Sequence, residues 1–402
     1  MRRLAAVLLL GAIAAPASAQ ITVTGGKTDL ANAVVTAKIA NPPDGRLVLL
    51  GEGGLEIPAQ VVAPSLLDAE GKEKDLVFVV PKLPAGKELK LELAGRDRKL
   101  RSPKFQFKET KDGVDLEYDA KPVLRYVNAP HDEKHHYKTF KVFHHVFDPV
   151  KGDTLLTNGA HEVPDGKLFL HHRGLFYGWN KVTYGDKINV DIWHGKDAFQ
   201  QHEKTLATEE GEVVGRQRTL ISWNGKDGKP FAEETREVTA YKTPARTPAT
   251  VVDFTSVLVP RAGTIKLDGD PQHAGFHFRA TTEVAKSTAK DTYFLRPDGK
   301  DKPGSTRNWP AQKEHVNLPW NAMSIVVGGK RYTVVYLDHP ENPKEARFSE
   351  RDYGRFGNYF ATEVTPEKPL KVRYRVWIQE GEMTVDECAN LSAGFVTPPA
   401  AK

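Results

Sequence analysis

Apolar and polar residues alternate through most of this chain with a period of two, the pattern of half-buried β-strands. Between residues 20 and 112, runs such as "AVVTAKI", "DLVFVVP" and "KELKLELAG" are separated by clusters of Gly, Pro and Asp. Similar runs, among them "TVVDFTSVLV", "RYTVVYLDH" and "LKVRYRVWIQ", continue from residue 113 to residue 397. We therefore predict an all-β protein, with a small N-terminal β-sandwich over 20–112 as an accessory domain and a large antiparallel β-sandwich over 113–397.

Two segments depart from this strand pattern. Near the C-terminus, Glu387 follows three residues after Thr384, which is the spacing of a capping box and predicts a short helix. At the other end, Arg2 and Arg3 precede an apolar run over 4–15 and the small residues 17–19. This run is too short to span a bilayer comfortably, so we predict a cleaved signal peptide over 1–19 and a periplasmic or secreted protein without a membrane span.

Charge and cysteine content exclude several classes of function. The 57 Lys and Arg residues and the 52 Asp and Glu residues are interleaved along the chain, which indicates a solvated surface and no nucleic-acid partner. The single cysteine, Cys388, excludes a disulfide framework and a cysteine-based metal or redox centre. The motifs of a nucleophile elbow, a Walker loop and a dinucleotide fingerprint are absent from the sequence, which argues against hydride and phosphoryl transfer.

Histidine is distributed unevenly, since ten of the fourteen lie between residues 131 and 202. In "QHAGFHFRA" a strand would place His273, His277 and Arg279 on one polar face, opposite an apolar face. His273 and His277 would then be about 13 Å apart, too far to bind one ion. His171 and His172 would point to opposite faces of a strand. We therefore assign no metal ligands and no cofactor, and leave open a metal ion held by distant segments.

The candidate chemistry lies mainly in "HHRGLFYGWNKVTYGDKINVDIWH" (171–194) and in the glycine-punctuated "FSERDYGRFGNYF" (348–360). A carboxylate beside arginines can act as a general base and a histidine as the acid, while Trp and Arg can bind sugars. The acid–base candidates are His172, His194, His277, Asp191 and Glu350. The substrate-binding candidates are Arg173, Trp179, Trp193, His273, Arg279, Trp320, Asn321, Tyr353 and Arg355. The structural alternative for the same residues is an aromatic-rich core with salt-bridged loops.

Several segments also resemble, in order, a bacterial family that is abundant in planctomycetes. They include "APHDEKHHYKTFKVFHHVFDP", "HHRGLFYGWNKV", "LDGDPQHAGFHFRA" and "NLPWNAMSIVVGGKRYTVVYLDHPENP", and the resemblance covers about residues 115–397. The family is often labelled "methane oxygenase PmoA" and is elsewhere called a domain of unknown function. The resemblance implies a galactose-mutarotase-like supersandwich and a role in processing sugars or polysaccharides, and the label itself implies a metal-dependent oxygenase.

We therefore expect an exported, carbohydrate-active protein that binds a small sugar or glycan. Histidine and carboxylate side chains would act on it by hydrolysis, elimination or epimerisation. Two alternatives stay open at this point, a non-catalytic glycan-binding module and a metal-dependent oxygenase. The sequence does not fix the oligomeric state.

Overall fold

The computed structural model describes residues 19–68, 73–96, 102–159, 169, 171–244, 248–270 and 272–402. The predicted signal peptide, apart from Ala19, lies outside these residues. The first strands are β1 (Ala19–Thr24), β2 (Leu30–Ile39), β3 (Arg46–Leu50), β4 (Glu56–Val62), β5 (Lys74–Leu83) and β6 (Glu88–Arg96). They are followed by β7 (Phe105–Thr110), β8 (Gly113–Tyr118), β9 (Lys121–Val127), β10 (Phe143–Val146), β11 (Gly174–Trp179), β12 (Lys181–Tyr184), β13 (Ile188–Val190), β14 (Ala198–Glu209), β15 (Val214–Gly225) and β16 (Pro230–Lys242). The remaining strands are β17 (Ala249–Pro260), β18 (Ile265–Asp268), β19 (Ala274–Arg279), β20 (Tyr293–Arg296), β21 (Gly299–Lys300), β22 (Trp320–Val327), β23 (Lys330–Asp338), β24 (Arg347–Arg351), β25 (Arg355–Tyr359), β26 (Thr362–Val364), β27 (Leu370–Glu380) and β28 (Ala400–Ala401).

Helical structure is sparse among the described residues. Two α-helices are present, α1 (His136–Thr139) and α2 (Val385–Val396). Single turns of 3₁₀ or π helix occur at Glu52–Gly54, Glu133–His135, Val284–Thr288 and Ala289–Asp291. None of the helices in these parts of the chain is long and apolar enough to cross a membrane.

The N-terminal strands form one antiparallel sheet in the order β2-β5-β4-β3-β6-β1-β28. Alternate residues of these strands, such as Val35, Leu49 and Phe78, are buried together in a core of their own. The sheet contacts the larger part of the chain through an ion pair in which Arg46 Nε donates to Glu212 Oε1 at 2.7 Å. The next strand, β7, pairs with β8 and belongs to a different sheet.

Two large antiparallel sheets make up most of the remaining chain. The eight-stranded sheet has the order β24-β25-β19-β11-β10-β9-β8-β7, and the nine-stranded sheet has the order β14-β15-β16-β17-β27-β23-β22-β20-β21. Phe276 of the first sheet stacks against Phe254 and Tyr374 of the second, with ring centroids 4.2 and 5.0 Å apart. Full burial of each such side chain contributes roughly 1.5–3 kcal/mol to folding. The predicted all-β class with a large antiparallel sandwich is therefore confirmed.

Cross-strand pairing fixes which residues share a face of the eight-stranded sheet, since directly paired residues point the same way. His277 of β19 pairs with Phe176 of β11, and Arg279 pairs with Arg355 of β25. We call the side that carries these four residues the site face. The intervening residues, such as Phe278, point to the core between the two large sheets.

The predicted C-terminal helix is present as α2. Thr384 Oγ1 accepts a hydrogen bond from the Glu387 N–H at 3.2 Å, and the Glu387 carboxylate accepts from the Thr384 N–H at 2.7 Å. These reciprocal bonds satisfy backbone donors that the first turn of a helix cannot pair. Cys388 is buried on the inner side of α2, as expected for a small apolar residue.

Candidate functional site

Three histidine side chains from separate segments converge beside the site face. His171, His194 and His273 each offer one ring nitrogen, and the three nitrogens lie within 4.8 Å of one another. The ring centroids of His171 and His194 are 4.3 Å apart, and those of His194 and His273 are 4.8 Å apart. We call these residues the three-histidine cluster. Solvent reaches it, since 33% of the His194 side chain and 28% of the His273 side chain are exposed.

The chain brings the cluster together by turns rather than by strands. His171 lies in a turn before β11, in which the His172 N–H donates to Phe169 O at 2.9 Å. The rings of His171 and His172 are therefore only 4.2 Å apart. The expectation that they point to opposite faces of a strand is wrong, because the backbone here is not extended.

Lys141 holds two of these turns in place. Its Nζ donates to His171 O at 3.1 Å and to Trp193 O at 2.7 Å, so one buried amino group joins the backbone beside two members of the cluster. Burial lowers the pKa of Lys141 well below its ordinary value. Both carbonyls accept from the amine, so Lys141 acts as a positioning residue.

Two of the three imidazoles are held by carboxylates. His194 Nδ1 lies 2.7 Å from Asp191 Oδ2, and His273 Nδ1 lies 2.8 Å from Asp270 Oδ1. Asp270 is itself fixed by Asn180, whose Nδ2 donates to it at 2.6 Å. When Nδ1 of a neutral imidazole donates to a carboxylate, Nε2 is left with a free lone pair. Carboxylate–histidine pairs of this kind orient the ligands of metal centres.

Electrostatics keep the third imidazole neutral. Burial, reinforced by the nearby His194 and Lys141, lowers the pKa of His171 to about 2. Its Nε2 is buried and has no hydrogen-bond partner among the described residues. A neutral imidazole is the form that binds a metal ion, so His171 offers its ligand nitrogen without first losing a proton.

The site face beneath the cluster carries a row of buried polar residues. His277 Nε2 donates to Ala274 O at 2.9 Å, and its Nδ1 accepts from Arg355 Nη1 at 3.0 Å. Burial lowers the pKa of His277 well below its ordinary value. Both of its nitrogens are thus engaged, and His277 orients Arg355 rather than exchanging protons with a ligand. His172 differs, because neither of its buried ring nitrogens has a partner in the described parts of the chain.

Many of the residues chosen from the sequence do come together here. The set that lies around the cluster and the site face comprises His172, His194, His277, Asp191, Trp193, His273, Arg279, Tyr353 and Arg355. Trp193 is fully buried and packs its ring 4.6 Å from Phe176 and 4.9 Å from His277. Arg173 is buried nearby, with Nη1 donating to Lys138 O at 3.3 Å, and burial lowers its pKa to about 9.

Four of the chosen residues lie elsewhere. Glu350 pairs with Phe356 across β24 and β25, which places its side chain on the core face of the sheet. There it accepts from Arg296 Nε at 2.7 Å and from Asn321 Nδ2 at 2.8 Å. Trp179 is also in this core and donates from Nε1 to Phe360 O at 3.0 Å. Trp320 packs in a third cluster with Trp377 and Cys388. These four side chains stabilise the fold and do not reach the three-histidine cluster.

Three positions of the site were not chosen from the sequence, namely His171, Asp270 and Lys141. A signal for Asp270 exists, because Asp191 and Asp270 each stand three residues before a histidine of the cluster. The same spacing occurs at Asp132 and His135, where Nδ1 lies 2.7 Å from the carboxylate on an exposed turn. The spacing therefore predicts the carboxylate–histidine pair, and only the fold decides which pairs meet.

The model of a family described as a family of unknown function, DUF6807, matches residues 113–393. No curated protein matches the chain. A solved GalM/aldose epimerase homologue from C. elegans is similar at 9% identity and a TM-score of 0.30, over 70% of this chain and 100% of that one. A likeness at this level carries no argument about function, and the oxygenase label implied by the sequence stays a prediction.

Proposed function

This chain belongs to DUF6807, a family of unknown function, and we propose that it is a metal-dependent enzyme with the three-histidine cluster as its metal centre. One observation carries the proposal. Ring nitrogens of His171, His194 and His273 converge within 4.8 Å although the residues come from three separate turns. The buried Nε2 of His171 has no hydrogen-bond partner among the described residues, and a cation bound between the three rings would satisfy it.

The chemistry of the donor set favours a divalent transition metal. Imidazole nitrogens suit zinc, copper, iron and nickel, whereas calcium and magnesium require oxygen ligands. Three protein ligands leave a coordination position for water or substrate, as in catalytic zinc centres, where bound water ionises near neutral pH. Asp191 and Asp270 would fix the orientation of His194 and His273 and raise their basicity. Lys141 would keep His171 and the turn of His194 in register.

A sugar or glycan remains our proposed class of substrate. A groove with a volume of about 540 Å³ lies next to the centre, and Asp191 forms part of its wall. Asn180, Thr183, Asn189 and Lys196 contribute further donors and acceptors, which complement the hydroxyl groups of a sugar. From the predicted signal peptide we further propose that this activity lies in the periplasm or outside the cell, which N-terminal sequencing of the mature protein would test.

Metal analysis of the purified protein tests the proposal directly. The protein is incubated with Zn²⁺, Cu²⁺ or Fe²⁺, freed of excess ion and analysed by mass spectrometry for bound metal. We expect one ion per chain, and loss of that ion in His171→Ala, His194→Ala and His273→Ala. The matched control is His135→Ala, which removes an exposed histidine with the same carboxylate spacing and should retain the ion.

The outcomes separate the competing functions. Absence of any stoichiometric ion in the wild-type protein would leave the non-catalytic glycan-binding module as the better hypothesis. Bound zinc supports hydrolytic or acid–base chemistry. Bound copper or iron together with oxygen consumption would favour the oxygenase that the family label implies.

A further inference from the structure

Two arginines on the site face are buried without a negative partner. Arg279 and Arg355 are both fully buried. Across the described residues neither forms an ion pair: Arg355 donates to His277 Nδ1 and to Ser349 Oγ, both at 3.0 Å. A buried charge that lacks a counter-charge is costly, so proteins rarely keep one without a function.

Other buried arginines of this protein show what is missing. In Arg236, Arg296 and Arg375, Nε and Nη2 of the guanidinium each donate a hydrogen bond to one of the two oxygens of a single carboxylate. For Arg375, the two distances to the Asp253 oxygens are 2.6 and 2.8 Å. Such side-on, bidentate pairs are the preferred contact between arginine and a carboxylate.

Arg279 presents the same edge with nothing on it. Its Nη1 donates to Ala280 O and to Tyr353 O, each at 2.7 Å, which fixes the orientation of the guanidinium. Its Nε and Nη2 are buried, and neither has a hydrogen-bond partner among the described residues. Arg279 is therefore held ready for a bidentate partner that the described chain does not supply.

This free edge lies close to the three-histidine cluster. The Arg279 guanidinium carbon is 5.1 Å from the centre of the Tyr353 ring, which in turn lies 6.3 Å from the ring of His172. Both ring nitrogens of His172 lack a partner among the described residues. The centroid of its ring lies 4.2 Å from that of His171 and 6.2 Å from that of His273.

We infer that Arg279 and His172 form a carboxylate-binding subsite beside the metal centre, and that the substrate is a sugar acid rather than a neutral sugar. That the ligand is a sugar rests on the proposed function. That it carries a carboxylate rests on the free edge of Arg279. Arg279 would bind the two carboxylate oxygens and His172 would donate to a neighbouring oxygen. Because this edge is closed to solvent, neighbouring side chains must move when the ligand enters.

Calorimetric titration with glucuronate and with glucose tests the subsite, since the two probes share a ring and differ at the carboxylate. We expect glucuronate to bind at least about tenfold more tightly than glucose, the equivalent of one charged hydrogen bond. Arg279→Lys keeps the charge but loses the bidentate edge, and should remove this preference. The matched control Arg261→Lys changes an exposed arginine that already holds Glu233 through the same edge, and should keep it.

Repeating the titration with the metal-free His194→Ala variant separates this inference from the proposed function. If that variant still prefers glucuronate, the subsite stands without a metal. If the metal-loaded wild-type protein shows no preference for glucuronate, or binds sulfate equally well, the subsite is overturned and the metal centre is unaffected.

A stability measurement tests whether Arg279 has a purely structural role. We expect Arg279→Met to lower the melting temperature of the ligand-free protein less than Arg296→Met, because only Arg296 has a buried carboxylate partner to lose. An equal or larger loss for Arg279→Met would mean that the guanidinium is needed for folding, and would overturn the inference.

Discussion

Neutralising one of the two carboxylates behind the metal ligands is the sharpest test of the centre. Asp270 accepts from His273 Nδ1 at 2.8 Å through Oδ1 and at 3.0 Å through Oδ2, and also from Asn180 and the Gln272 N–H. Burial opposes ionisation of Asp270, but these hydrogen bonds outweigh it and lower its pKa below the ordinary value. Asp270→Asn therefore replaces a carboxylate that is ionised at neutral pH with a neutral amide of the same shape.

The expected loss of metal affinity follows from the solvent exposure of the two carboxylate–histidine pairs, Asp191 with His194 and Asp270 with His273. Loss of a carboxylate behind a ligating histidine typically weakens metal binding about 10- to 100-fold. Asp270 is 40% exposed, so solvent screens its charge, and we expect about tenfold for Asp270→Asn. Asp191 is only 20% exposed and also accepts the backbone N–H of His194 at 2.8 Å, so Asp191→Asn should cost more.

Competition with a chromophoric chelator measures these affinities, and thermal unfolding gives an independent reading. At a metal concentration of about 100 times the wild-type Kd, binding stabilises the protein by about 2.7 kcal/mol, and a tenfold weaker site by about 1.4 kcal/mol. Asp132→Asn is the matched control, because it neutralises the carboxylate of the exposed pair with His135. If Asp191→Asn and Asp270→Asn bind metal as tightly as Asp132→Asn, these carboxylates do not support a metal centre and our reasoning about the cluster is wrong.

Three further predictions concern pH and the core. The pKa of His171 in the folded protein is about 2, far below the ordinary 6.5. Between these two pH values only the unfolded chain binds a proton at His171. Stability should therefore fall as the pH drops below about 6.5, by up to about 1.4 kcal/mol per pH unit from this residue; urea midpoints at pH 7.5 and 5.5 measure it, and a slope unchanged in His171→Ala would contradict the assignment. Glu350→Gln should cost about 3–5 kcal/mol of unfolding free energy because it removes the bidentate, fully buried carboxylate partner of Arg296 and leaves only Asp301, yet leave metal affinity intact; weakened metal binding in a folded variant would show that the two faces communicate. Trp179→Ala should cost about 3–5 kcal/mol through the cavity it leaves, and a loss below about 1 kcal/mol would show that the core collapses around it.

The alternation of side chains could be read from the sequence wherever a strand is regular. In "QHAGFHFRA" it separates His277 and Arg279 from Phe276 and Phe278, and the pairing of β19 confirms this separation. Glu350 shares the core face of β24 with Phe348, but the short, glycine-punctuated segment does not by itself reveal that it is a strand. Its partner Arg296 is also far away in the sequence, and a buried structural carboxylate then looks like a catalytic one.

The three-histidine cluster lay beyond a strand-based argument for a different reason. A period of two applies only to extended backbone, whereas His171, His194 and His273 all lie outside the strands. Turns can bring adjacent side chains together, as the 4.2 Å between the His171 and His172 rings shows. Where each turn lies relative to the others is set by long-range contacts such as those of Lys141, which no local pattern encodes.

The position of β28 has a consequence for how this molecule matures. It pairs with β1, Val23 opposite Ala401, and the backbones of Thr22 and Lys402 exchange hydrogen bonds of 2.8 and 3.1 Å. The edge of β1 that faces β28 therefore stays unpaired until residues 400–402 have been synthesised. Deletion of residues 400–402 would consequently expose the unpaired edge of β1 to other chains.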